Sequence, residues 1–84
     1  MKLSVKGLTL AAGIFWALTF FFVAFFNLLS SSYGNSFLDV MHSVYPGYKT
    51  SGGFGGVIVG TLYALVDGAV AGAVFAWIYN RIAD

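Results

Sequence analysis

The polar and apolar positions of the chain alternate in long blocks. Leu8–Leu29 is a run of apolar residues that no charge interrupts, and the next charged residue after Lys6 is Asp39. At about 1.5 Å per residue its 22 positions reach about 33 Å, enough to cross a hydrocarbon layer of about 30 Å. A second run, Phe54–Tyr79, has 26 positions and carries a single charge, Asp67. It too is long enough to span, with some tilt. The pattern predicts an all-α membrane protein: one domain over 1–84, built as a hairpin of two transmembrane helices, 8–29 and 54–79.

Periodicity then assigns faces. At 100° per residue Thr9, Gly13, Trp16, Phe20, Ala24 and Asn27 share one side of the first helix, and Phe15, Leu18, Phe22, Phe26 and Leu29 the other. Small and polar groups gather on the first side, which is expected to meet protein, and the phenylalanine side is left to lipid. On the second helix Gly52, Gly56, Gly60, Ala64, Gly68, Gly72 and Ala76 recur every fourth residue. This glycine zipper lets another backbone approach closely. Because four residues turn through about 400°, the stripe drifts about 40° per step. It is therefore expected to open onto two faces, one for the first helix and one for another chain.

The connector, 30–51, is too long for a tight turn. Between Phe37 and Tyr45 the residues Asp39, His42 and Ser43 separate by angle from Phe37, Leu38, Met41, Val44 and Tyr45, which predicts a short amphipathic helix lying in the interface at about 37–45. Ser36 and Asp39 have the spacing of a capping box, and Pro46 with Gly47 ends the helix. Tyr33, Tyr45, Tyr48, Trp77 and Tyr79 fall near the ends of the spans, where amphipathic rings anchor at headgroup level. His42, the one histidine, is expected on the wet face.

Composition narrows the function. Hydrophobic residues make up 60% of the 84 positions and charged residues 8%, against about 25% charged in soluble domains. The net charge of +1 gives no clustered basic face for nucleic acid. With no cysteine and one histidine there is no metal-ligand set, no cofactor is implied, and no nucleophile–base pair supports an enzyme. The glycines at 52, 53, 55 and 56 lack the Lys and Ser/Thr that a phosphate loop needs. Lys2, Lys6 and Arg81 flank the spans on one side and Lys49 on the other, so both termini are expected in the cytoplasm with the connector outside.

Asp67 is the one candidate for chemistry. Lying midway along its span, it should face protein or water, since a lipid-facing acid there costs about 2.5–3.5 kcal/mol. It is expected either to hydrogen-bond a neighbouring helix, with Tyr63 and Thr19 as partners, or to form with them an ion or proton site.

The segments MKLSVKGLTLAAGIFWAL, YPGYKTS, VDGAVAG and AWIYN, with Tyr45, Pro46, Gly47, Tyr48, Asp67, Gly68, Gly72, Trp77, Tyr79 and Asn80, resemble the short two-span bacterial and archaeal membrane proteins labelled bacteriophage-holin-like. The resemblance covers nearly the whole chain and implies a two-helix membrane protein that self-assembles. Two functions are thus expected in turn: a self-associating, holin-like or pore-related homo-oligomer joined through the glycine face of the second helix, or an accessory subunit docked on a larger respiratory, photosynthetic or transport complex.

Overall fold

A computed structural model describes residues 2–30, 32–49 and 52–83. Ser51, the expected end of the connector, lies outside them. The described residues form three helices, α1 (Val5–Leu29), α2 (Asn35–Val44) and α3 (Gly53–Ala83). Both α1 and α3 are long and apolar enough to cross a membrane. The molecule measures 47 × 19 × 19 Å, and α3 alone accounts for its length, at about 1.5 Å for each of its 31 residues. Everything else packs beside that one helix.

Both long helices exceed their expected bounds for local reasons. Ser4 caps α1 by accepting a hydrogen bond from the Gly7 amide at 3.0 Å, so the helix starts at Val5. At the other end α3 continues past Tyr79, where the Arg81 guanidinium lies 5.4 Å from the Trp77 ring, one turn away. Here the chain ends are tied: the Leu3 amide donates to Asn80 Oδ1 at 2.7 Å, and Asn80 Nδ2 donates back to the Leu3 carbonyl at 3.0 Å.

The helices α1 and α3 run antiparallel along the small-residue stripe. A Cβ built on Gly72 would lie 2.5 Å from the Leu8 carbonyl, and one on Gly68 would lie 2.6 Å from that of Ala12. Further along, the Phe20 ring occupies the space a side chain at Gly60 would need. Gly60, Ala64, Gly68, Gly72 and Ala76 are all buried, together with Gly13, Ala17, Phe20 and Ala24 of α1. The expected second face of the stripe is therefore corrected. The drift does not open Gly68 and Gly72 to another chain, because both lie against the backbone of α1 at Ala12 and Leu8. Gly52 and Gly56 are also corrected: they take no part in this helix contact and instead receive the connector, whose Lys49 carbonyl lies 2.9 Å from a Cβ placed on Gly56.

The connector turns inward. Asn27 Nδ2 donates to the Tyr33 carbonyl and to Asn35 Oδ1, at 2.6 and 2.8 Å, and Gly34 reverses the chain with φ 67°. From there α2 runs back along α1, with Phe37 meeting the rings of Trp16 and Phe20 at centroid distances of 5.9 and 6.2 Å. Helix α2 starts without a side-chain cap bond, so the Ser36–Asp39 capping box does not form. Most of the apolar side of α2 is packed: Leu38 is buried and Phe37 and Met41 join the core, whereas Val44 of the same side is exposed. That core is the flank of the α1–α3 pair.

Two substitutions separate the glycines that matter. Gly68→Val should cost about 1–3 kcal/mol, because its side chain meets backbone that cannot retreat. Gly55, with nothing within 4 Å of an added Cβ, should tolerate Ala to within about 0.5 kcal/mol. Unfolding of the detergent-solubilised protein with dodecyl sulfate, followed by circular dichroism, measures both.

Candidate functional site

The connector brings a tyrosine to the acid. Residue 67 stands fourteen positions after Gly53 and sixteen before Ala83, near the middle of α3. The Tyr45 hydroxyl donates to Asp67 Oδ2 at 2.9 Å, and the same hydroxyl accepts from Trp16 Nε1 at 2.9 Å. Three elements, α1, the end of α2 and α3, thus meet in one polar relay, Trp16 to Tyr45 to Asp67. Indole can only donate and phenol can do both, so the direction of the chain is fixed by chemistry.

Why Tyr45 reaches this point follows from the residues after it. Pro46 stops α2 and Gly47, at φ 85°, turns the chain back towards α3. The turn is closed by the Tyr48 amide donating to the Tyr45 carbonyl at 3.1 Å. His42 Nδ1 lies 2.6 Å from the Tyr48 carbonyl. A carbonyl can only accept, so Nδ1 carries the proton. His42 is exposed, as the sequence led us to expect, and its ring also braces the returning segment of the connector.

Aromatic rings surround the turn. Tyr45 stacks on Tyr63 with centroids 5.4 Å apart and planes at 15°, while Phe20 meets Tyr45 at 5.9 Å and Tyr48 at 5.2 Å. Tyr45 and Tyr48 are only 3% and 2% exposed, so the expectation that they anchor at headgroups is corrected. Their pattern as the apolar side of an amphipathic helix fits burial against protein equally well. Burial pushes both phenols above the ordinary tyrosine pKa; at Tyr45 the Trp16 bond opposes that rise and Asp67 adds to it. Tyr45 therefore holds its proton at neutral pH and remains a donor. Tyr33, Trp77 and Tyr79 are exposed.

The expected partners of Asp67 change accordingly. Thr19 Oγ1 donates to the Phe15 carbonyl of its own helix at 2.9 Å and takes no part. Tyr63 stays beside the site through its ring, stacked on Tyr45, and not through a bond to the acid. Tyr45 and Trp16 are the residues the sequence did not assign. Spacing gave no sign of either bond, because the contacts link positions 22 and 29 apart across a turn. Asp67 itself is exposed. It sits at the edge of the buried stripe, beside Gly68, with Oδ2 held by Tyr45 and Oδ1 without a hydrogen-bond partner among the described residues. Those residues contain no group of three metal-ligating side chains.

Removing the Tyr45 hydroxyl tests the relay. Tyr45→Phe keeps the ring stacking and strands both Trp16 Nε1 and Asp67 Oδ2, so it should lower stability by about 0.5–2 kcal/mol. In a Trp77→Phe background the Trp16 emission should shift at the same time, and an unchanged spectrum with unchanged stability would mean that the relay does not form.

No protein-family model matches the chain, and neither does any curated protein or solved structure.

Proposed function

We propose that this chain is a non-enzymatic, self-associating membrane protein, holin-like or pore-related in character, whose copies gather with Asp67 turned towards a shared centre. The observation that carries the reading is the exposed Asp67 carboxylate halfway along a helix suited to crossing a bilayer. Facing lipid it would cost about 2.5–3.5 kcal/mol, and a neighbouring polypeptide or enclosed water removes that cost. The resemblance to the holin-like proteins points the same way.

The glycine stripe is already covered by α1, so assembly uses another surface. The side of α3 that carries Tyr63, Asp67, Val70 and Val74 is exposed and flanks the hairpin. In the bilayer α2 and the Tyr45–Tyr48 turn would form a re-entrant segment, their backbone sheltered by protein as non-helical chain at that depth must be. The double hydrogen bond between Leu3 and Asn80 supports placing both termini on one side, and Lys2, Lys6 and Arg81 favour the cytoplasm.

The natural absence of cysteine makes the test direct. Single cysteines at Val70 and Val74 should crosslink into homo-oligomers in native membranes, whereas one at the outward Leu18 should crosslink poorly. Monomers at every position would contradict self-association. Purification in mild detergent with one large stoichiometric partner would instead establish the accessory-subunit role.

A further inference from the structure

We propose that Asp67 and Tyr63, with the apolar trough beside them, form a binding site for a lipophilic organic cation of the quaternary ammonium or phosphonium class. The site is complete within one chain and does not depend on self-association.

Three observations converge on it. First, the carboxylate is half used. Oδ2 is held by the Tyr45 hydroxyl, while Oδ1 is without a partner among the described residues and the group is exposed. The cationic side chains lie elsewhere in the chain: Lys2, Lys6 and Arg81 at the tied ends, and Lys49 in the connector. Among the described residues no cationic side chain pairs with the Asp67 carboxyl group.

Second, the neighbouring surface is aromatic. Tyr63, one turn before Asp67, is 37% exposed and is backed by the stacked Tyr45 ring. The face of such a ring attracts a diffuse cation, most strongly where water is excluded.

Third, the same tyrosine lines a trough of about 390 Å³ with Val59, Leu62 and Val66. A cation carrying aryl or alkyl groups would lay them there while its charge rests against Asp67 and the Tyr63 ring.

The chemistry of the donors selects this class over a metal ion. A hard metal cation demands about six oxygen ligands in exchange for its water, and no trio of metal-ligating side chains occurs among the described residues. An organic cation is weakly hydrated and needs only one charge and an apolar surround.

Tetraphenylphosphonium is the probe. Equilibrium dialysis against the full-length protein in zwitterionic nanodiscs should show saturable binding at one site per chain. Asp67→Asn should weaken it by about tenfold or more and Tyr63→Leu by about threefold or more, whereas Asp67→Glu and Tyr63→Phe should bind within about threefold of the parent. Neutral tetraphenylsilane, of the same shape, should not compete. Equal binding by the parent and Asp67→Asn, or effective competition by the silane, would show simple partitioning and overturn the proposal. Circular dichroism checks that each variant keeps its helices; if Asp67→Asn does not, the Leu and Phe variants at Tyr63 decide, and equal affinity in those two also overturns it. Loss of crosslinked oligomers would count against the assembly and leave this site standing.

Discussion

Close approach of α1 and α3 is the constraint on which the rest depends. Both helices are long and apolar enough to cross a membrane, and in that medium burial of apolar area would offer little net gain, so packing and backbone proximity would hold the pair. The stripe from Gly60 to Ala76 provides that proximity: at Gly68 and Gly72 even one extra carbon would collide with α1 backbone. Over Gly60 the space is filled by the Phe20 ring. The direct consequence is that small residues are spent inside the chain, and the larger groups on either side of them face outward.

Asp67 lies at the edge of this seam, and the connector is shaped to meet it. Gly34 and Gly47, both at positive φ, turn α2 inward and back again. His42 pairs with the Tyr48 carbonyl and the Tyr48 amide with that of Tyr45. Tyr45 then offers its hydroxyl to the acid while its ring covers Phe20 and Tyr63. An inward connector needs its polar backbone paired, and these bonds achieve it with few residues. Among the described residues the other oxygen of the acid has no partner, which gives the outer face of α3 its chemical character.

Much of this was legible in the sequence. Apolar runs without charge gave both long helices, and angular patterning of α1 separated Gly13, Phe20 and Ala24 from Phe15, Leu18 and Phe22, as their burial shows. The amphipathic pattern of α2 also located a real helix. It could not say which apolar medium its hydrophobic side would meet, and protein took the place of lipid at Leu38 and Tyr45. Helical projection on a straight axis likewise opened Gly68 and Gly72 onto a second face, whereas both lie against α1 backbone. The Trp16–Tyr45–Asp67 relay depends on two chain reversals, and no periodicity encodes a contact of that kind.

The central claim is that the glycine stripe is closed within one chain, leaving Asp67 outside it. A Cβ placed on Gly13 would lie 3.2 Å from that of Ala69, near the 3.5–4.5 Å typical of a disulfide. With Gly13→Cys and Ala69→Cys in one chain, mild oxidation in membranes should give an intramolecular disulfide and a monomer of altered mobility on a non-reducing gel. Disulfide-linked dimers in place of that monomer would mean that α1 and α3 of one chain are not partners along the stripe, and the account would fail.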